Sequence, residues 1–379
     1  MDYSQQIYSK TESGASLTRD EALWLLVDAE LPAIAEPASL LRQRLNPGRC
    51  VTFHVDTNPN YTNICDTDCK FCAFYRKPRN DDAYTLTVDE VMERIQKAVN
   101  LGARTVLLQG GHNPKIPLEY YLNLIRETRL RFPQVMPHFF SAPEIHAMTR
   151  YFKIPAEEIL QQFWDAGQRT MPGGGAEILT ERVRAEIAPR KTSTEEWLRI
   201  HEIAHGIGFK TTATMMYGHV ETPDDIVDHL FALRTLQSRT GGLYAFIPWS
   251  FKPGNTKLSE KVKTTASGAQ YLRVIGLARL VLDNVPHIQA SWFSEGRKTG
   301  QLALEFGADD FGGTLIEENV LQQADFRNVT TTDEVVHIIH DAGYVPAERD
   351  TLYETIRVYD DEAYFQSRIA EPYNNSLSE

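Results

Sequence analysis

The chain has 379 residues, 42% of them hydrophobic and 24% charged, a composition typical of a globular protein rather than of a disordered or repetitive one. Its net charge of -12, without a long run of Lys or Arg, argues against nucleic-acid or anionic-membrane partners and favours a small-molecule substrate. The sequence contains no apolar stretch that could cross a bilayer and no secretory signal, so we expect a cytoplasmic protein.

The first part of the chain, residues 1–47, carries the signals of helices. Thr18 and Glu21 have the spacing of a capping box, in which two residues at a helix start satisfy backbone N–H groups that would otherwise lack partners. An apolar run follows them, and Pro47 with Gly48 then interrupts the helical pattern. We therefore predict a short helical N-terminal extension.

Between residues 48 and 345, short runs rich in Val, Thr, Phe and Tyr alternate with amphipathic helical stretches. Some helix ends are clear, such as the capping box of Thr87 and Glu90 with Gly102 as the stop. An unbroken series of βα units predicts an α/β fold that closes into a (β/α)8 TIM-type barrel, followed by a tail at 346–379 that packs on or near the barrel. The predicted strands are 50–56, 105–109, 138–142, 169–171, 211–217, 244–248, 288–293 and 310–315.

Three of the four cysteines lie in a polar loop after the first predicted strand. Cys65, Cys69 and Cys72 have the spacing C-x3-C-x2-C, which suits three irons of a [4Fe-4S] cluster and leaves the fourth iron open to a chelating ligand. A zinc site is the alternative, but it needs a fourth ligand, for example His54. Cys50 stands apart, and we expect it to be a small buried residue.

This loop, with the aromatic Phe71 just before the last cysteine, resembles that of the radical S-adenosylmethionine (SAM) superfamily. The resemblance implies a [4Fe-4S] cluster and S-adenosylmethionine as cofactors, and an electron donor such as flavodoxin or ferredoxin. It also implies a radical SAM barrel in which an adenosyl radical takes a hydrogen atom from the substrate. A protein that merely houses a cluster, for electron transfer or sensing, is the alternative.

Cofactor-binding candidates follow the second, third and fourth predicted strands. In LLQGGHN the paired glycines allow a close backbone approach, and superfamily members have a glycine pair here that meets the amino group of the cofactor. A tight turn is the alternative. The third strand ends at a serine that could donate to the cofactor or cap a helix, and a glutamate follows MPGGG after the fourth. The candidates are Phe71, Gln109, Gly110, Gly111, Ser141 and Glu177.

Further segments, among them SAPEIH, ATMMYGHVETPDD and FIPWSFKPGNT, resemble radical enzymes of the futalosine and deazaflavin pathways. CAFYRKP, LLQGGHNPKIPLEYY and FGADDFGGTLIEENV resemble most closely the cyclases of the futalosine pathway, which serves menaquinone biosynthesis. The resemblance implies that a hydrogen atom is taken from ribose C4' of dehypoxanthine futalosine and that the carbon radical attacks the benzoate ring. The aminofutalosine synthases, which share much of the YGH motif, are the alternative.

Catalytic candidates lie just past the fifth predicted strand, in MMYGHVE, where loop residues of a barrel face the site. His219 and Glu221 are candidates for the base that restores the aromatic ring, and Tyr217 could donate a hydrogen bond to the substrate. Glu221 could instead belong to the cap of the next helix. A benzoate carboxylate calls for a positive group, and hydroxyl groups call for polar partners. The substrate-binding candidates after the later strands are Lys252, Ser291, Arg297 and Asp310.

Overall fold

The structure is a computed structural model, and it describes residues 3–361 and 364–365. The strands in this part of the chain are β1 (Cys50–His54), β2 (Asp56–Thr57), β3 (Thr105–Leu108), β4 (Met136–Phe139), β5 (Thr170–Met171), β6 (Lys210–Tyr217), β7 (Leu243–Ser250), β8 (His287–Ile288), β9 (Asp310–Gly313), β10 (Val345–Arg349) and β11 (Thr355–Val358). Its α-helices are α1 (Tyr3–Ser13), α2 (Arg19–Val27), α3 (Leu31–Leu45), α4 (Val88–Asn100), α5 (Leu118–Arg131), α6 (Ala142–Phe152), α7 (Ala156–Asp165), α8 (Glu181–Ile187), α9 (Thr194–Ile207), α10 (Pro223–Thr240), α11 (Gly268–Val281), α12 (Trp292–Glu295), α13 (Arg297–Ala303) and α14 (Thr332–Asp341).

The parallel strands curl into a closed barrel. Strands β2 to β8 pair in chain order, and β1, which runs on into β2, pairs in parallel with β9. A single parallel bridge between Gln289 and Asp310 joins the end of β8 to β9 and completes the ring. The predicted (β/α)8 TIM-type barrel is therefore confirmed, including its weak last strand.

The predicted seventh strand is too long. In the structure the strand is His287–Ile288, followed by the single bridge at Gln289, and the chain then turns into the short helix Trp292–Glu295. The N–H groups of Ser294 and Glu295 donate to the carbonyl of Ser291, so this stretch closes on itself instead of extending the sheet. An apolar run of this length does not distinguish a buried strand from a buried helical turn.

Helix starts and stops follow the predicted local chemistry. Thr18 with Glu21 and Thr87 with Glu90 form capping boxes at the starts of α2 and α4. Gly102 follows α4 with φ 99°, a left-handed backbone conformation that favours glycine. The described helices include none with the length and apolar character that crossing a bilayer requires.

The N-terminal helices pack on the outside of the barrel. Helix α3 lies against α11, and the buried Arg42 side chain donates to the carbonyls of Gly48 and Cys50 where the chain enters β1. Cys50 itself is exposed, so the expectation that it is buried is wrong. It is the first residue of β1, where its side chain lies outside the packed interior.

The chain after residue 345 continues beneath the barrel. Strand β10 pairs in parallel with β1, and β11 returns antiparallel to β10. Beyond β10, the hydroxyl of Thr351 donates to that of Thr105 at the N-terminal end of β3, over 3.1 Å. Side chains from this segment therefore reach the barrel interior from below. The later positions of the predicted tail, 362–363 and 366–379, lie outside the described residues.

Candidate active site

A cavity of about 380 Å³ lies inside the barrel. Its upper end, at the C-terminal ends of the strands, is lined by Phe71 and Cys72 of the cysteine loop. Its inner end is lined by Arg349, Thr351 and Tyr353 from the segment beneath the barrel. A ligand in this cavity is thus enclosed between the cysteine loop and the C-terminal segment.

The cysteine loop is held in place by backbone hydrogen bonds to the barrel rim. The N–H of Lys70 donates to the carbonyl of Ile187 at the end of α8, and the carbonyl of Lys70 accepts from Leu258, each over 2.8 Å. Burial raises the pKa of the Cys69 thiol to about 12, and the thiols of Cys72 and Cys65 add to the rise while Lys191 opposes it. The three cysteines are therefore close enough to act on one another electrostatically.

The donor set fits a [4Fe-4S] cluster better than zinc. Cys65 and Cys72 both act on the buried Cys69 thiol, and a thiolate in so buried a place needs the positive charge of bound iron to be stable. Among the described residues, the potential ligand atoms of Cys65, Asp66 and His112 lie within 4.8 Å of one another, but this group contains one thiol only. His54, the ligand considered for zinc, instead lines the cavity beside Asp56.

A buried ion pair lies next to the cysteine loop. Lys191 Nζ lies 2.5 Å from Glu177 Oε1, and the same ammonium group lies 5.2 Å from the centre of the Phe71 ring. Burial acts against the charged form of Lys191, but the charges of Glu177 and Cys69 outweigh it and raise the pKa. Phe71, Glu177 and Lys191 all line the cavity, so two of the predicted cofactor-binding residues lie next to the cysteine loop.

The paired glycines pack against the cysteine loop. A Cβ atom at Gly111 would overlap the carbonyl of Ile64, and one at Gly110 would lie 2.6 Å from the Tyr61 ring. Their N–H groups donate to Glu144 and to the carbonyl of Thr62. The hydrogen bonds of the described residues give the Gly110 carbonyl no partner, so this oxygen can accept from a ligand amine. Gln109 and Gly110 line the cavity, whereas Gly111 lies behind it.

Ser141 belongs to a buried capping box. Its hydroxyl and N–H both donate to Glu144 Oε2 over 2.7 Å, at the start of α6. Glu144 Oε1 accepts from the hydroxyl of Tyr61 and from Gly110, so the carboxylate ties three segments together. Burial raises the pKa of Glu144 despite these donors. Ser141 lines the cavity, but its proton is used within the protein, so it can meet a cofactor only as an acceptor.

The predicted catalytic residues lie outside the cavity lining. The His219 ring accepts from the Val220 N–H through Nδ1 and contacts the Met216 carbonyl through Nε2, and its side chain is fully buried. The Glu221 carboxylate accepts from the N–H groups of Gly218 and His219, which shapes this loop. The Tyr217 hydroxyl is buried, also outside the cavity lining, and the described residues offer it no hydrogen-bond partner. The structure therefore does not bring these three side chains to an enclosed ligand.

The four substrate-binding candidates also lie outside the cavity lining. Arg297 is exposed and paired with Glu334, so it is wrong as a pocket residue, and Ser291 is fully buried behind the wall. The Lys252 ammonium donates to the hydroxyl of Ser250 over 2.7 Å, beneath the Phe326 ring.

Asp310 likewise does not reach the cavity, because its carboxylate pairs with Arg349. Sequence reasoning missed several residues that do line it. Glu144 could have been found, because its distance from Ser141 in the sequence is that of a capping box. The other missed residues lie in no recognisable motif. They are Lys191, His54, Arg349 and Tyr353.

Together, the closed barrel, the three thiols on the loop after β1 and β2, and the cavity beneath them define an iron–sulfur enzyme with an enclosed small-molecule site. The sequence comparisons agree with this. Residues 60–233 match the radical SAM superfamily, and residues 240–361 match the CofH/MqnC C-terminal region. The chain belongs to the radical SAM superfamily, and its cofactors are a [4Fe-4S] cluster and S-adenosylmethionine.

Characterised relatives cover nearly the whole chain. The cyclic dehypoxanthine futalosine synthase of Streptomyces coelicolor is 41% identical over 362 residues, covering 95% of this chain and 90% of that protein. The aminodeoxyfutalosine synthase of Thermus thermophilus is 39% identical, covering 93% and 96%. A 5-amino-6-(D-ribitylamino)uracil--L-tyrosine 4-hydroxyphenyl transferase of Methanosarcina mazei is 38% identical, covering 89% and 90%.

Solved structures agree on the fold. Methylornithine synthase (PylB) superposes with a TM-score of 0.71 at 18% identity, covering 90% of this chain and 97% of that one. An identity this low supports the barrel architecture alone.

Proposed function

We propose that this enzyme converts dehypoxanthine futalosine to cyclic dehypoxanthine futalosine, a step of menaquinone biosynthesis. The observation that carries the proposal is the 41% identity with the synthase of that name, which extends through the cysteine loop and the C-terminal region. The hydrogen atom leaves ribose C4', and the new bond joins this carbon to the benzoate ring. The ring then loses a proton and an electron; this electron offsets the one consumed when the cofactor is cleaved, so the product is two hydrogens lighter than the substrate.

The cavity suits a reaction in which two parts of one molecule must meet. It lies within the barrel, and aromatic side chains such as Tyr244, Trp249 and Phe293 form much of its wall. Such walls hold a folded aromatic substrate and exclude water from a reactive carbon centre. Ring closure within one bound molecule is also faster, because binding has already restricted the motion of the two reacting ends.

The chain's residues divide the work of holding the cofactors. The cluster and S-adenosylmethionine, when bound, supply the one-electron chemistry that removes the hydrogen atom, with flavodoxin or ferredoxin as the proposed electron donor. Cys65, Cys69 and Cys72 would hold the cluster. The carbonyl of Gly110 and the Glu177 carboxylate, which Lys191 orients, would accept hydrogen bonds from the cofactor's polar groups.

Restoring the aromatic ring requires a proton acceptor inside the cavity. His54 lines the cavity, and its Nε2 lies 3.5 Å from Asp56 Oδ2. Its Nδ1 is buried, with no hydrogen-bond partner among the described residues. A carboxylate beside Nε2 favours the tautomer in which Nδ1 can accept a proton. We assign this step to His54 in place of His219.

The test uses the anaerobically reconstituted full chain with dithionite, S-adenosylmethionine and dehypoxanthine futalosine. We expect 5'-deoxyadenosine together with a product two hydrogens lighter, and deuterium at C4' should appear in the deoxyadenosine. A well-formed cluster that leaves the cofactor intact would contradict the proposal and indicate a sensor or electron-transfer protein.

Aminodeoxyfutalosine synthesis is the second candidate, because the relative of that activity is 39% identical over almost the same length. In that case the protein would leave dehypoxanthine futalosine unchanged. It would instead consume an enolpyruvyl benzoate and join it to the adenosyl group. Parallel incubation with both substrates distinguishes the two activities.

A further inference from the structure

The inner end of the cavity contains a buried guanidinium group. Arg349, the last residue of β10, lines the cavity with a side chain 4% exposed. Its Nε donates to Asp310 Oδ2 over 2.5 Å, and its Nη1 donates to the carbonyl of Asp350 over 2.9 Å. The described residues give the third nitrogen, Nη2, no hydrogen-bond partner. A charged donor left open to the cavity can bind a ligand, and an anionic partner satisfies it better than a neutral one.

Asp310 fixes the plane of this guanidinium. Its carboxylate also accepts from the hydroxyl of Thr52 over 2.6 Å and from the N–H of Gly312 over 2.8 Å. The Asp310 carboxylate thus accepts hydrogen bonds from three donors, and Arg349 contributes one of them, through Nε. The pair is held rigidly, while the Nη2 side of the guanidinium is left for a ligand.

Tyr353 adds a second unused polar group. Its ring lies 3.7 Å from the guanidinium carbon of Arg349, between Arg349 and the stacked ring of His287. The residue lines the cavity, and in the part of the chain that the structure describes its buried hydroxyl has no hydrogen-bond partner. Tyr244 packs edge-on against the same ring, so an aromatic surface surrounds the polar atoms.

Arg349, although paired with Asp310, keeps a donor without a partner among the described residues, and this favours its end of the cavity for an anionic group. Among the described residues that line it, Lys191 and Arg349 are the Lys and Arg side chains. Lys191 lies beside the cysteine loop and is neutralised by Glu177. A carboxylate entering the cavity therefore finds its unengaged donor at Arg349.

We propose that Arg349 and Tyr353 form a binding subsite for the carboxylate of an aromatic acid, with Asp310 as the positioning residue. That the natural ligand is the benzoate group of the substrate rests on the proposed function. The existence of the subsite rests on the geometry alone. The ligand then spans the barrel, with its carboxylate at the inner end and its reacting carbon toward the cysteine loop. Charge-assisted hydrogen bonds to the carboxylate would set both affinity and orientation.

The first experiment measures binding of two small probes, 3-acetylbenzoate and 3-acetylbenzamide, to the reconstituted holoenzyme. They share shape and ring but differ in charge. We expect the benzoate to bind about tenfold more tightly, or better, which is the effect of one or two hydrogen bonds to a charged group. Equal affinities in the wild type would overturn the proposal.

The second experiment repeats this with variants. Arg349→Gln alone would leave Asp310 buried without its counter-ion, so the variant of choice is the neutral pair Arg349→Gln/Asp310→Asn. The control is Lys10→Gln/Glu21→Gln, which removes an ion pair between α1 and α2, outside the cavity lining. We expect the first variant to lose the preference for benzoate and the control to keep it.

Cluster content, measured by iron analysis and absorbance, verifies that each variant is assembled. Tyr353→Phe should reduce the preference several-fold without altering the cluster. Retention of the full preference in the Arg349 variant would overturn the proposal. Loss of the preference there, in a protein whose wild type fails to convert dehypoxanthine futalosine, would support the subsite and overturn only the proposed function.

Discussion

Lys191 and Glu177 are joined by a buried ion pair, with Nζ and Oε1 2.5 Å apart, between the cysteine loop and the cavity. Lys191 belongs to no recognised sequence motif. Glu177 lies shortly after three consecutive glycines, and its own backbone has a positive φ of 46°. The pair links the loop after β5 to the chain that leads into α9. It holds a carboxylate in place beside the cysteine loop.

This pair should contribute to stability in a way that a double-mutant cycle detects. Lys191→Met leaves Glu177 as an uncompensated buried charge, and we expect the free energy of unfolding to fall by about 3–5 kcal/mol. Lys191→Met/Glu177→Gln removes both charges and should recover most of that loss. Urea unfolding of the wild type, both single variants and the double variant provides the measurement. Additive effects would argue against a coupled pair.

The cysteine variants test the cluster. We expect Cys65→Ala, Cys69→Ala and Cys72→Ala each to abolish cluster formation and the release of 5'-deoxyadenosine, because each removes one of three protein ligands. Cys50→Ala is the control, since Cys50 is exposed at the far end of β1. Iron and sulfide analysis with chromatography of the nucleoside gives the result. Normal deoxyadenosine release by any of the three loop variants would refute the assignment.

Gly111 should tolerate no side chain. A Cβ atom there overlaps the backbone of Ile64, just before the first cysteine, so Gly111→Ala should displace the loop and lower the iron content. Gly206→Ala in α9 is the matched control, because nothing lies within 4 Å of its added Cβ and alanine favours the helix. Iron content and thermal unfolding of both variants show whether the loop is displaced. An unchanged cluster in Gly111→Ala would contradict the packing described.

His54 and His219 should give different kinetic signatures. If His54 accepts the ring proton, His54→Gln should still release deoxyadenosine while the yield of cyclised product falls by an order of magnitude or more. His219 holds its loop through both ring nitrogens, so His219→Gln should reduce both products in parallel. The ratio of cyclised product to deoxyadenosine, measured in one incubation, distinguishes the roles. An unchanged ratio in His54→Gln would remove it as the base.

His229 should make folding sensitive to acid. Burial, and then the charge of Arg184, lower the pKa of His229 to about 3, and its Nδ1 must stay unprotonated to accept from the Leu179 N–H. The unfolded chain takes up this proton below about pH 6.5, so the free energy of unfolding should fall between pH 6.5 and about pH 3, by up to about 1.4 kcal/mol per pH unit.

The control for this effect is His229→Gln, which preserves bulk but does not titrate. Its unfolding free energy should depend less steeply on pH than that of the wild type over the same window. Urea unfolding at pH 7.5 and pH 5.5 gives both slopes, and the comparison cancels any effect of acid on the cluster. Identical slopes would show that His229 does not contribute.

Local sequence patterns revealed residues whose role depends on neighbours a few positions away in the chain. The cysteine spacing, the capping box of Thr87 and Glu90 and the alternation of strands and helices each act over a few residues. The seventh strand was overextended because an apolar run predicts burial and does not reveal whether the backbone is helical there.

The sequence by itself thus determined the barrel class, the cluster loop and several wall residues, because short-range spacing sets thiol geometry and helix ends. Tertiary structure alone decided which side chains share the cavity. It placed Arg349 beneath a site more than 270 positions away from Cys72 in sequence, and it turned His219 and Arg297 away. Contacts between distant segments depend on how strands pair and curl, and no local pattern of residue types records that.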